Sequence, residues 1–245
     1  MGIAATLIIL ETLSRTGVLP ATSLPPISVV LTEAFTLLGD AEFLSDIAST
    51  MGAWALGLGL AILVAVPLGL LLGSFRIAYQ ASSAVVELLR PIPSVALIPL
   101  AILVFGQGTD MKVALVFYAS LWPIFFNTVY GVRDVDPVAK ETARTFRMGR
   151  LEILGRISLP AAAPFIGTGV RISAAIALIV AISAELLAGS ASGIGAFILR
   201  TSSGGGDTAL VFAGTLIAGL LGVFINGVLV ALENRAFAWQ KMGNS

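Results

Sequence analysis

The sequence predicts an all-α integral membrane protein with about six transmembrane helices. Hydrophobic residues make up 57% of the chain, charged residues make up 11%, and the mean hydropathy is +1.00. A soluble domain carries roughly 25% charged residues, so water cannot be the main solvent of this chain. A membrane-crossing helix needs about 20 mostly apolar residues. Charge-free stretches of at least that length lie at 51–75, 113–132 and 208–232.

The predicted spans follow the apolar stretches in chain order. In the first, residues 1–10 are apolar but Glu11 and Arg15 follow, so this segment either crosses obliquely or lies on the surface. The fifth contains Arg171 near one end and Glu185 near the other, where a long or terminal side chain can reach the interface. Together the spans form a single transmembrane domain over 1–245 and cover about 1–19, 47–74, 82–106, 111–132, 164–187 and 208–232.

The third span contains three prolines in an otherwise uncharged stretch. Pro91, Pro93 and Pro99 each lack the amide hydrogen that a helix interior uses. We therefore expect a helix that begins near Ser82 and continues to about 106, with kinks or a late start at these prolines.

Two outer segments have their own patterns. After Pro25-Pro26, apolar residues recur at helical spacing, which predicts a short amphipathic helix on the outer surface. This helix is either a docking site for an external protein or a helix in the lipid interface. The stretch 188–207 is rich in Gly and Ser, and within it 192–199 could form a re-entrant turn.

The distribution of basic residues predicts the orientation. Loops rich in Lys and Arg stay in the cytoplasm. Placing the segment after 51–75 inside leaves Arg15, Lys112 and Arg200 outside, and it predicts that both termini are cytoplasmic. The basic residues then on the inner side are Arg76, Arg90, Arg133, Lys140, Arg144, Arg147, Arg150, Arg156, Arg171, Arg235 and Lys241.

The longest cytoplasmic connection, 133–163, is patterned as helix. Asp136 can cap the first turn, and Pro137 suits the first helical position. Val138, Glu141, Thr142 and Thr145 then share one face, which predicts a short helix parallel to the membrane. A second helix is predicted over 150–157, before Leu159-Pro160 marks the return to the membrane. A rigid helix of this kind can pass motion from a cytosolic partner to the spans.

Several function classes are excluded by residue types. The chain has no Cys and no His, which argues against redox, zinc and triad enzymes. The 14 basic and 14 acidic residues cancel, so nothing suggests a nucleic-acid partner. A phosphate-binding P-loop needs Gly before its Lys, and the three lysines follow Met111, Ala139 and Gln240. If the protein pumps, its free energy therefore comes from another chain.

Glu141-Thr142-Ala143, followed by Ile157, Leu159 and Pro160, resembles the EAA loop of binding-protein-dependent ABC importer permeases. Further matches make the chain similar to the branch that imports nitrate, sulfonates, taurine and related small solutes. They are Arg90-Pro91-Ile92-Pro93, Ile98-Pro99-Leu100, Phe105-Gly106-Gln107-Gly108, Phe125-Phe126-Asn127-Thr128 and Ala184-Glu185-Leu186-Leu187.

The resemblance implies a type I ABC importer permease fold in the plasma or inner membrane. Its loop would be a coupling helix in a groove of a separate ATPase, which binds ATP and Mg, so no cofactor and no catalytic or metal site is expected in this chain. Implied partners are two ATPase subunits, a second permease copy or a homologous permease, an extracytoplasmic solute-binding protein and a small, often anionic solute. The implied coupling residues are Glu141, Thr142, Ala143, Arg147, Gly149, Ile157, Leu159 and Pro160.

The loop departs from the family pattern at two positions. Thr142 replaces the second alanine of the motif, and Arg147 stands where the family usually has glycine, six residues after the glutamate. We expect Thr142 and Ala143 to be small enough for close approach to a partner. Because Arg disfavours a sharp turn, we expect the turn to move to Gly149.

Glu185, Asn127 and Tyr130 are the candidates for a pathway or gate. Glu185 lies near the outer end of its span, and the other two lie near the inner end of the fourth. The alternative is that these groups only hydrogen-bond between helices or to interface water. One rival function is an autonomous channel or secondary carrier. Another is a membrane-embedded enzyme, but no cluster of carboxylates in the sequence supports it.

Overall fold

The computed structural model describes residues 2–16, 24–203 and 207–237, and every regular element within these ranges is a helix. The α-helices are α1 Gly2–Arg15, α2 Ile27–Leu37, α3 Ala41–Ser74, α4 Arg76–Leu89, α5 Ile98–Phe105, α6 Thr109–Asp134, α7 Pro137–Thr145, α8 Arg150–Ile153, α9 Leu159–Ala188, α10 Ile194–Ser203 and α11 Thr208–Ala236. A 3₁₀ turn, Ser94–Leu97, precedes α5, and a π-helical turn, Leu154–Ser158, joins α8 to α9.

Four of these helical segments are long and apolar enough to cross a membrane. They are α3, α6, the segment Arg150–Ala188 that contains α8 and α9, and α11. The bent pair around α4 and α5 provides a fifth. α1 is about 21 Å long, shorter than a hydrocarbon core of about 30 Å. A first span over 1–19 remains a prediction, and its last residues lie outside the described part of the chain.

The third predicted span, 82–106, is not one helix. α4 begins at Arg76, earlier than the expected start near Ser82, and the two helical pieces are bent by 75° at the break between them. The reason lies in the prolines that separate them. Pro91 and Pro93 lack the amide hydrogen that a continuous helix would use, while Pro99 fits the first turn of α5.

The helices α3, α6 and α9 form the centre of the bundle. α6 lies between the other two, and small residues allow the close contact. A methyl group added at Gly57 would lie 2.6 Å from Cγ1 of Val116, and one added at Gly69 would lie 2.6 Å from Cβ of Thr128. These glycines therefore serve helix packing.

The predicted outer amphipathic helix is present as α2. Val30, Ala34 and Leu37 are buried in a cluster with Phe43 of α3 and with the outer part of α11. The opposite face leaves Phe35 exposed. The helical spacing of apolar residues in the sequence thus corresponds to one face of α2 that packs on the bundle and one face that is open.

Candidate functional site

The loop helix α7 begins as the sequence predicts. Oδ1 of Asp136 accepts a hydrogen bond of 2.8 Å from the Val138 amide, and Pro137 takes the first helical position. In the same first turn, the ammonium of Lys140 donates a hydrogen bond of 2.8 Å to the Val132 carbonyl of α6. These contacts tie α7 to the end of a membrane-crossing helix.

The turn that ends α7 lies at Arg147, so the expectation that it moves to Gly149 is wrong. Arg147 has a φ of 59°, and Gly149 has an ordinary φ of −69°. The Arg147 amide donates to the Arg144 carbonyl, and the Met148 amide donates to the Ala143 carbonyl. These two hydrogen bonds form a Schellman motif. The motif requires a left-handed backbone conformation at Arg147, whatever side chain is present there.

Replacing Arg147 with Gly should stabilise the end of α7 by about 1 kcal/mol, because glycine takes a positive φ without the steric cost borne by other residues. We expect the α7 amides to exchange hydrogen about fivefold more slowly in this variant. Arg147→Ala is the matched control, because it removes the same charge and keeps the strained φ. Equal amide exchange rates in Arg147→Gly and Arg147→Ala would contradict the claim that the positive φ at Arg147 is strained.

The side of the loop that faces away from the bundle is apolar and open. Val138 is 66% exposed, Phe146 is 78% exposed and Leu151 is 85% exposed. Glu141 and Thr142 are exposed on the same helix. Exposed large apolar side chains beside charged ones, outside the apolar spans, are typical of a protein interaction surface.

Ala143 differs from its expected role. It is only 4% exposed within the single chain, so its side chain faces its own bundle and not a partner. The reason is the helical period, since Ala143 lies about 140° around α7 from the exposed Val138. A bulky charged residue at this position would disturb the seating of α7 in its own chain.

The return to the membrane is continuous. The predicted second helix over 150–157 is α8 followed by the π turn, and α9 begins at Leu159 with Pro160 in its first turn. Ile157 is half-buried, and Leu159 and Pro160 are exposed. The loop is therefore joined to α9 by helix alone, which suits the transfer of motion into the bundle.

A buried polar network lies at the end of the bundle opposite α7, and Glu185 is at its centre. Glu185 is 0% exposed and Lys112 is 1% exposed, and the distance between Nζ of Lys112 and Oε1 of Glu185 is 2.9 Å. The Thr50 hydroxyl lies 2.9 Å from the same oxygen, and the Gly195 amide donates to Oε2 at 3.0 Å. Each charge is thus paired and hydrogen-bonded, which a buried ion pair requires.

The network holds the segment before α10 against α3. The Gly193 amide donates to Oδ1 of Asp46 at 2.7 Å, and NH2 of Arg200 lies 2.7 Å from Oδ2 of the same carboxylate. Gly193 has a φ of 127°, and a Cβ there would collide with the carboxylate of Glu185. In the segment 192–199, predicted as a possible re-entrant turn, a tight glycine turn leads into α10, a helix that spans Ile194–Ser203.

Sequence reasoning missed most of this network. It placed Lys112 and Arg200 in the outer medium and named no ionic partner for Glu185. Arg171 pairs with Glu233 of α11, at 3.1 Å between Nε and Oε2. One signal in the sequence could have indicated this pair. Lys112 is an isolated basic residue at the edge of an apolar stretch, and Glu185 is a single carboxylate expected at the same membrane level.

Asn127 and Tyr130 do not join Glu185 in one site. Nδ2 of Asn127 donates to the Pro123 carbonyl of its own helix at 2.8 Å, and Tyr130 is 59% exposed. Asn127 lies about 22 Å along α6 from Lys112, because 15 residues separate them at 1.5 Å each. The three pathway candidates therefore lie at two ends of the bundle.

A family model described as a binding-protein-dependent transport system inner membrane component matches residues 57–237. A putative ABC transporter permease protein of Methanocaldococcus jannaschii is 36% identical over 76% of this chain and 69% of its own length. The putative aliphatic sulfonates transport permease protein SsuC of Bacillus subtilis is 31% identical over 97% of this chain and 85% of its own. The nitrate import permease protein NrtB of Leptolyngbya laminosa is 28% identical over 78% of this chain and 67% of its own.

The fold is similar to that of a solved structure with little sequence identity. A chain of the MetNI methionine ABC transporter, in an inward-facing conformation, superposes with a TM-score of 0.69 and 17% identity. The match covers 78% of this chain and 94% of that one.

Proposed function

Because the chain belongs to the family of binding-protein-dependent transport system inner membrane components, we propose that it forms the membrane pathway of an ATP-driven importer of a small anionic solute. The chain is a multi-pass membrane permease of the ABC importer class, with the type I fold. The exposed apolar surface of α7 and α8, outside the spans and joined by helix to α9, supports coupling to a separate ATPase.

Within this proposal the loop residues have distinct tasks. Glu141 and Thr142 are exposed and contact the ATPase, while Arg147 and Gly149 shape the turn after α7. Ala143 seats α7 on its own bundle. Ile157, Leu159 and Pro160 join the loop to α9. ATP and Mg are bound by the ATPase, so this chain itself is not an enzyme.

The orientation follows from the charges. Basic residues concentrate in the loop that contains α7 and α8, which supports a cytoplasmic location for this loop. With six spans, both termini are then cytoplasmic, and the network around Glu185 lies at the outer side.

The assembly contains two permease copies, or this chain with a homologous permease, above two ATPase subunits. α11 supports this, because little of its apolar surface is buried within one chain. An external binding protein delivers the solute. Sulfonates, taurine and nitrate are the solute class that the sequence resemblance suggests, and relatives named for sulfonate, nitrate and taurine transport support it.

Transport proceeds by alternating access, in which movement of the coupling loops reorients the spans around the pathway. Glu185 is fully buried in the conformation seen, so it acts as a gate residue that holds the outer end closed, without touching solute. Asn127 and Tyr130 are candidates for the inner part of the pathway.

A single cysteine at Phe146 tests the docking surface, since the natural chain has no cysteine. We expect Phe146→Cys to react with a membrane-impermeant maleimide only in inside-out vesicles. Co-expression of the partner ATPase should protect it at least tenfold. Ser203→Cys, on the exposed end of α10, is the matched control and should react only from the outside, with or without the ATPase. Labelling of Phe146→Cys from outside, or no protection by the ATPase, would contradict the proposal.

A further inference from the structure

A cavity of about 340 Å³ lies where the inner end of α3 meets the loop helices α7 and α8. Three cationic side chains line it, those of Lys140, Arg144 and Arg150. They come from two different loop helices, so the folded loop gathers them beside the end of a membrane-crossing helix. We call this cavity the basic pocket.

The positive charge of the basic pocket is not balanced within the described part of the chain. No carboxylate there lies within 4 Å of Lys140, Arg144 or Arg150, whereas Arg156 of the same loop pairs with Glu152 at 3.2 Å. Burial, and then the neighbouring Arg144 guanidinium, lower the pKa of the Lys140 ammonium. Because these surroundings disfavour the positive charge of Lys140, they favour the binding of an anion.

The rest of the basic pocket is lined by apolar residues and two serines. Phe75, Ile77, Ile153 and Leu154 are the apolar residues, Ser74 and Ser158 are the serines, and Ile77 is 83% exposed. Phe75 directly follows the last residue of α3, at the end of that apolar span. Cations beside exposed apolar side chains at this level match the boundary between lipid headgroups and acyl chains.

We propose that the basic pocket binds the phosphate of an anionic phospholipid, with Arg144 and Arg150 on the phosphate and Phe75 and Ile77 along the first part of an acyl chain. This inference rests on the proposed placement of the loop at the inner membrane surface. A phospholipid bound there joins α3 to α7 and α8, and it makes the position of the coupling loop sensitive to the lipid composition of the inner leaflet. A free phosphate would leave the apolar wall unused.

The test is lipid retention by the purified full-length permease without any ATPase, measured by native mass spectrometry. Phosphatidylglycerol and phosphatidylcholine with identical acyl chains are compared. We expect one phosphatidylglycerol to be retained in preference to phosphatidylcholine, and Arg144→Gln and Arg150→Gln each to weaken its binding about fivefold. Binding of phosphatidylglycerol should also weaken as salt is raised.

Arg156→Gln is the matched control, because it removes a basic residue of the same loop that does not line the pocket, and it should bind phosphatidylglycerol like the natural chain. Arg144→Lys keeps the charge and should retain most of the binding. Unchanged phosphatidylglycerol binding in Arg144→Gln and Arg150→Gln overturns the proposal. Displacement of the lipid by millimolar inorganic phosphate also overturns the proposal, because the pocket would then bind a free anion. Displacement of the lipid by the ATPase overturns it as well, because the pocket would then be part of the ATPase interface. Failure of ATPase docking alone leaves the lipid result unaffected.

Discussion

Lys112→Met should destabilise the end of the bundle around Glu185 by about 3–5 kcal/mol, the range found when one partner of a buried ion pair is removed. The carboxylate of Glu185 would remain without solvent access and without its cation. The Ser192 carbonyl and the Ser49 hydroxyl would also lose the ammonium that donates to them. We expect the thermal midpoint of the detergent-solubilised protein to fall by about 10 °C.

The matched control separates the unpaired charge from loss of packing. Lys112→Met combined with Glu185→Gln removes both charges, and an amide oxygen in the place of Oε2 can still accept from Thr50 and Gly195. This double variant should recover most of the lost stability, because no uncompensated charge is buried. Removing Arg156 from its exposed pair with Glu152 should cost less than about 1 kcal/mol. A midpoint for Lys112→Met within 2 °C of the natural chain would contradict the account of this network.

The sequence predicts the parts of this protein that depend on local pattern. Uninterrupted apolar length identified the segments that became α3, α6 and α11, and Asp136-Pro137 marked the start of α7. These features depend on short-range properties: the thickness of a bilayer, the capping of orphan amides and the fixed φ of proline.

Features that depend on packing could not be predicted in the same way. The Lys112–Glu185 pair joins residues 73 positions apart, and its geometry depends on the rotational setting of α6 against α9. Ala143 was expected to face a partner, but its direction depends on how α7 sits on its own bundle. At Arg147 the backbone hydrogen bonds of the turn outweigh the steric preference of the side chain.

Glu141→Ala should reduce solute uptake at least tenfold without reducing the amount of permease in the membrane. Glu141 is exposed on α7, and no ion pair within the described ranges uses its carboxylate, so folding does not depend on it. A charge-assisted hydrogen bond to the ATPase contributes about 1.5–3 kcal/mol, which corresponds to roughly 10- to 150-fold in a coupled equilibrium. Glu152→Ala is the matched control, because it removes a carboxylate of the same loop that pairs with Arg156.

Uptake by proteoliposomes tests the central claim most directly, namely that this permease has no energy source of its own and is driven through the loop around Glu141. The permease is reconstituted with its ATPase and binding protein, and accumulation of a sulfonate, taurine or nitrate is followed with and without MgATP. The account predicts accumulation only with the ATPase and MgATP, and at most a tenth of that accumulation with Glu141→Ala. Accumulation by the permease alone, or equal accumulation by the Glu141→Ala variant, would contradict it.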